Sequence, residues 1–137
     1  DDDQATGALV LRMEVHLSTA KMRENGEAPH CLSTGPMTAM YWTVAQLITH
    51  HSSNGCDLNP GDLLGTGTLT GDTPDSVGSL LEITNGGKEP LTLPNGETRT
   101  FLENGDEIVM TADAQKDGAA RIGFGECRGR IAAGPMG

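Results

Sequence analysis

Glu82 is the acidic residue whose neighbours ask most of it. Read as extended chain, SLLEITN puts Leu81 and Ile83 on one face and Leu80, Glu82 and Thr84 on the other. A carboxylate among apolar residues on a strand is costly to bury unless it is paired or hydrogen-bonded. Glu82 therefore reads either as a surface residue or as a site residue. A second wall comes from GDLLGTGTLTG, Gly61 to Gly71. Its alternation sets Leu64, Thr66, Thr68 and Thr70 on one face, and Leu63, Gly65, Gly67 and Leu69 on the other. A solvated edge accounts for such a row of hydroxyls. So does a binding wall where backbone comes close to a ligand, which glycine permits. The short connection GDTPDSVG joins the two stretches, so the threonine row and Glu82 can line one cavity.

The other chemistry-bearing residues are weaker. GTGTLTG and GFGECRG carry G-x-G-x-x-x-G, one residue too long for the dinucleotide fingerprint; neither leads into a helical pattern or holds a phosphate-loop lysine. His30, Cys31, His50, His51 and Cys56 are soft ligands in one region, but their spacing fits no zinc pattern. The serines lie in no G-x-S-x-G elbow. Cys127 falls inside an expected strand with no histidine near it in sequence. The opening DDD reads as a solvated tail rather than a site for a hard cation.

The elements that must position these residues are mostly strands. ALVLRMEVHLS alternates Leu9, Leu11, Met13, Val15 and Leu17 against Arg12, Glu14 and His16, the period of a strand with one polar face. KMRENGEAPHC is a polar excursion turning at Asn25-Gly26. Met40, Val44, Leu47 and Ile48 then recur at helical spacing and mark one amphipathic helix. Ser33, Thr34 or Thr38 can cap its start, and Asn54-Gly55 can end it. Further strands are expected over 62–70, 79–84, 90–93, 98–102, 107–112 and 121–132. NGGKEP, Asn95-Gly96 and Asn104-Gly105 are hairpin-type turns. The alternation changes phase between Ile122/Phe124 and Cys127/Ile131, so a bulge is expected at Gly125 and Glu126. The fold class is mostly β, in the α+β sense, with one main helix.

Bulk properties narrow the partners. The 137 residues fit one domain, yet Leu, Ile, Val and Phe number only 26. A folded chain so poor in apolar residues is expected to bury surface against something outside this sequence. A net charge of −10 with no basic cluster argues against nucleic acid and against an anionic membrane. No apolar run approaches the ~18 residues of a membrane-spanning helix. Three cysteines, an odd number, suit a reducing compartment, with the cytoplasm as the expectation.

Four stretches carry a specific likeness. MYWTVAQLITHHSSNGCDLNPGDLLGTGTLTG, SVGSLLEI, NGDEIVMTA and RIGFGECRGRI resemble, in order and spacing, the C-terminal part of the fumarylacetoacetase (fumarylacetoacetate hydrolase) family, with the stamp of a bacterial member. The resemblance covers nearly the whole of residues 1–137. It implies a mixed β-roll or sandwich in a homodimeric enzyme of tyrosine and phenylalanine catabolism. The implied reaction hydrolyses a carbon–carbon bond of 4-fumarylacetoacetate to fumarate and acetoacetate. A His–Glu pair would activate water, and Mg²⁺ or Ca²⁺ would hold the diketone oxygens. Residue by residue, Glu82 matches the glutamate that orients the catalytic histidine, and Thr68 matches a substrate-binding threonine, with Gly67 beside it.

The departures are as informative. None of His16, His30, His50 and His51 sits in the motif of the family's histidine, and no carboxylate here matches a metal ligand. The resemblance thus implies that the base, the metal ligands and other substrate contacts lie in an N-terminal part absent from this sequence, and that the chain alone is inactive. Two alternatives stand beside this reading. One is a hydrolase or decarboxylase of another β-keto acid in the same superfamily. The other is a non-catalytic β-domain that binds a small ligand.

Overall fold

A computed structural model describes residues 2–134. Its centre is a four-stranded antiparallel sheet. Strands β1 (Arg12–Ser18), β2 (His30–Pro36), β5 (Glu107–Ala114) and β6 (Ile122–Arg130) lie in the order β2-β1-β5-β6. A short hairpin, β3 (Leu91–Thr92) and β4 (Thr98–Arg99), stands apart from it. The helices are brief: α1 (Asp2–Thr6), α2 (Ala20–Glu24), α3 (Val44–Ser52) and α4 (Leu80–Ile83). The architecture is mostly β with few helices, as expected, and the sheet is open at both edges.

The period-two pattern of β1 sets the register. Met13, Val15 and Leu17 stand opposite Ala112, Met110 and Ile108 of β5, so one face of the sheet is apolar. Leu17 is fully buried and forms the core with Met22 of α2 and Leu93 of the hairpin; Leu32, Leu91, Leu102 and Ile108 pack around them. The core therefore sits at one end of the sheet. Thr19 ties its parts together. Its hydroxyl accepts the Met22 N–H at 3.1 Å as the cap of α2 and donates to Glu97 Oε2 at 2.5 Å. Below the hairpin, Asp106 is fully buried and takes a two-pronged hydrogen bond from Arg99, at 2.8 and 3.0 Å. Asp106 also accepts the Glu103 N–H at 2.9 Å, so the buried charge is fully partnered.

The expected bulge is present, at Phe124 and Gly125 rather than at Gly125 and Glu126. Thr111 pairs with Glu126 and Asp113 with Gly123, so Ala112 alone faces Phe124 and Gly125. Gly125 takes the left-handed φ of +79° that such a bulge requires. The strands expected at 90–93, 98–102, 107–112 and 121–132 are all found, shortened in the hairpin.

Several expectations are corrected. Residues 62–70 join no ladder; they run exposed across the apolar face of the sheet, and Leu63 is 97% exposed. Left-handed φ angles at Gly61 and Gly67 (+99° and +80°) interrupt the pleat that pairing needs. Residues 80–83 form the helix α4, not a strand, because Ser79 caps them by accepting the Glu82 N–H. NGGKEP accordingly closes a helix rather than a hairpin: the Gly86 N–H reaches back to the Leu81 carbonyl at 2.7 Å. Asn104-Gly105 turns the chain between two separate sheets, so it closes no hairpin either.

Helix α3 begins at Val44, later than expected. Thr43 caps it in a capping box with Gln46, whereas Ser33 and Thr34 belong to β2 and Thr38 to a 3-10 turn over Met37–Ala39. Strand β2 was not expected: it is polar and rich in turn-forming residues, and it spans the end of the excursion and the Ser33 and Thr34 offered as helix caps. The acidic start is helical over Asp2–Thr6, and Asp3 accepts the Thr43 hydroxyl at 2.5 Å, so it does more than trail in solvent. No helix among the described residues is long and apolar enough to cross a membrane.

Candidate active site

The extended segment and α4 converge on one carboxylate. Leu80 and Ile83, three positions apart on α4, line a cavity against Val15, Leu32 and Ile108 of the sheet. The helical turn therefore points Glu82 away from the sheet. There it meets Thr70. The Thr70 hydroxyl donates to Glu82 Oε1 at 2.8 Å and accepts the Gly78 N–H at 3.3 Å. The Ser79 hydroxyl donates to Oε2 at 2.6 Å and accepts the Glu82 N–H at 3.3 Å. Each carboxylate oxygen is thus held by one hydroxyl, and each hydroxyl is itself aimed by a backbone N–H. The Ser79 and Thr70 hydrogen bonds stabilise the charged form and hold the Glu82 carboxyl below its ordinary value, against a smaller opposing effect of desolvation.

A cleft of about 410 Å³ opens in front of this carboxylate. Thr66, Thr68 and Thr70 line one side, and Met40, Tyr41 and Trp42 line another. Tyr41 and Trp42 meet edge to face with ring centroids 4.8 Å apart. The structure thus brings Glu82, Thr68 and the rest of the threonine row to one cavity, although neither segment is a strand. Glu82 and Thr68 are both exposed, so Glu82 stands at the surface and in the cleft at once.

Gly67 lies elsewhere. It lines an adjoining apolar cavity, also about 410 Å³, which shares Thr66 and Leu69 with the cleft and takes in Met13, Met110 and Phe124. A Cβ at Gly67 would meet nothing within 4 Å, so its φ of +80°, not a close approach, is what calls for glycine. The close approach falls at Gly78. A Cβ there would lie 2.2 Å from the Leu69 carbonyl oxygen and 2.6 Å from Thr68 Cγ2. Gly78 lets the threonine segment lie against the start of α4, and it was not singled out from sequence. Neither were Ser79 and Tyr41-Trp42. The spacing Ser79-x-x-Glu82, a capping-box spacing, was the available signal for the first.

No histidine lines the cleft. His16 lies beside Glu14, at 3.7 Å. His51 contacts Cys56 at 3.3 Å at the end of α3. No group of three or more His, Cys, Asp or Glu among the described residues could hold a metal ion. These residues therefore do not fit the Mg²⁺ or Ca²⁺ that the resemblance implies.

Comparison with known proteins places the chain in a family. Residues 2–132 match the family described as fumarylacetoacetate (FAA) hydrolase C-terminal. The chain is 53% identical to human fumarylacetoacetase over 92 residues, 67% of this chain and 22% of that protein. It is 46% identical to the Arabidopsis thaliana fumarylacetoacetase over 116 residues, 84% of this chain and 27% of that one. Against the Dictyostelium discoideum fumarylacetoacetase it is 38% identical over 131 residues, 94% of this chain and 30% of the relative. The chain thus spans under a third of the length of these relatives. With nearly its whole length matched, the chain belongs to the fumarylacetoacetate hydrolase C-terminal family.

Proposed function

We propose that this chain supplies the carboxylate side of a carbon–carbon bond hydrolase acting on 4-fumarylacetoacetate. The observation that carries the reading is the juxtaposition of Glu82 and Thr68 in one open cleft, in a chain whose relatives bear the name fumarylacetoacetase.

Glu82 is suited to accept an N–H from an imidazole placed over the cleft. That bond would fix the tautomer and leave the second ring nitrogen to take a proton from water. The hydroxide adds to the carbonyl carbon that becomes the new carboxyl of fumarate. The bond to the neighbouring carbon breaks, and its electron pair takes back the proton that the imidazole removed from water, which gives acetoacetate. The Thr68 hydroxyl, on the same wall, is placed to donate to a substrate oxygen. The imidazole must come from outside the cleft residues described here, and no step is routed through a metal.

The same reading carries a place in tyrosine and phenylalanine catabolism, a cytoplasmic location and a homodimeric enzyme. The three exposed free thiols agree with a reducing compartment. The exposed Phe124 and Ile122 of β6 agree with an association surface.

Glu82→Gln in the complete enzyme is the deciding experiment. The expected result is a fall in kcat of about 10²–10⁴-fold with the melting temperature retained, the scale of losing general acid–base assistance. Unchanged turnover would remove Glu82 from the mechanism, and a loss of folding alone would make it a structural carboxylate.

A further inference from the structure

Two hydroxyls, one from the extended segment and one from the cap of α4, meet the same carboxylate from opposite sides. Neither is free to rotate away at no cost. Turning the Thr70 hydroxyl would leave the Gly78 N–H without its acceptor, and turning that of Ser79 would uncap the turn that carries Glu82. A glutamate side chain in an open cleft otherwise samples several rotamers. Here both oxygens are pinned, and their remaining lone pairs are left for a further donor. Tyr41 is the other titratable side chain lining this cleft, and no charged group competes there for the carboxylate.

We propose that Thr70 and Ser79 are positioning residues for the hydrolase, holding the Glu82 carboxylate in the orientation in which it accepts the N–H of the catalytic base. The inference rests on the function proposed above and assigns roles to two residues that need not touch substrate. It also accounts for the threonine row. Thr68 faces substrate, whereas Thr70, two residues along the same side of the segment, serves the carboxylate.

The test uses the complete enzyme with Thr70→Val, Thr70→Ser, Ser79→Ala and the double variant T70V/S79A, beside Glu82→Gln. Thr70→Val and Ser79→Ala are each expected to lower kcat about tenfold with KM changed less than twofold, and the double variant to fall further. Thr70→Ser keeps the hydroxyl and is expected to stay near wild-type. Carbon-13 NMR of the Glu82 carboxyl in the complete enzyme supplies a readout that needs no turnover. Its titration midpoint should rise in Thr70→Val and stay put in Thr70→Ser. If Glu82→Gln abolishes turnover while T70V/S79A keeps wild-type kcat, the positioning role is wrong and the proposed function stands. If Glu82→Gln itself is fully active, both fall. An unmoved carboxyl midpoint in a folded Thr70→Val enzyme would also overturn the inference.

Discussion

A single carboxylate in this protein is governed by residues that carry no charge. Glu82 is ionised and aimed by Thr70 and Ser79, and it can be so because Gly78 has no side chain. Gly78→Ala would put a methyl group 2.2 Å from a backbone oxygen that has no rotamer to escape into. The expected cost is about 1–3 kcal/mol of stability, read as a lower urea midpoint. The complete enzyme should also lose activity, because Thr68 and Thr70 are pushed away together. Glu107 makes a different argument. Its carboxylate is held below its ordinary value of 4.5, first by hydrogen bonding to Arg130 and then by Arg128. The stabilisation is therefore fully present above that ordinary value and is lost as pH falls through the lower folded-state one. The urea midpoint should be flat from pH 7 to about pH 5 and drop below about pH 4, and Glu107→Gln should make that drop shallower. A drop of equal size in the variant would remove Glu107 from the acid response.

Short elements here depend on their caps. Helix α4 has four residues and α3 has nine, both below the length at which a helix sustains itself in water. Thr43 serves α3 twice, accepting the Gln46 N–H at 3.2 Å and donating to Asp3 on α1. Thr43→Ala should therefore cost about 1 kcal/mol or somewhat more, with helical circular dichroism falling ahead of the sheet signal on heating. Loss of both signals together would show that α3 melts only with the sheet. This scale is also where sequence reading failed and succeeded for visible reasons. The β1 and β5 patterns alternate, pair with each other and were legible. The SLLEITN pattern fits an alternating strand, yet Leu80 and Ile83 also fit one helical face, and the cap at Ser79 decides for the helix. The 62–70 segment alternates without pairing, because two left-handed glycines break its pleat and the sheet is built from other strands.

The molecule as a whole leaves much apolar surface uncovered. Among the described residues only Leu17, Met22, Leu93 and Val109 are buried hydrophobic residues, whereas Tyr41 and Phe124 are 71% and 62% exposed and all of β6 is exposed. Patches of this kind mark surfaces that another body covers. The present chain on its own should therefore bind the dye ANS at neutral pH and show no hydrolysis of 4-fumarylacetoacetate, since no histidine reaches its cleft. Turnover by the isolated chain would place a base within these residues, and His16, His30, His50 and His51 would then be tested in turn.

By itself the sequence determined the mostly β class, the strands with clean alternation, the bulge at Gly125, and the pair Glu82 and Thr68 as candidates. Those are local properties: a period of two, a phase change, and motif likeness do not depend on what lies across the fold. The tertiary structure alone decided which hydroxyl meets which oxygen. Thr66, Thr68 and Thr70 are equivalent in the sequence pattern, yet only Thr70 donates to Glu82, because the packing of Leu69 against Gly78 sets where the two segments cross. A hydrogen bond tolerates only a few tenths of an ångström around its donor–acceptor distance of about 3 Å. Side-chain periodicity records only the face of the chain, and contact between distant segments is settled by packing.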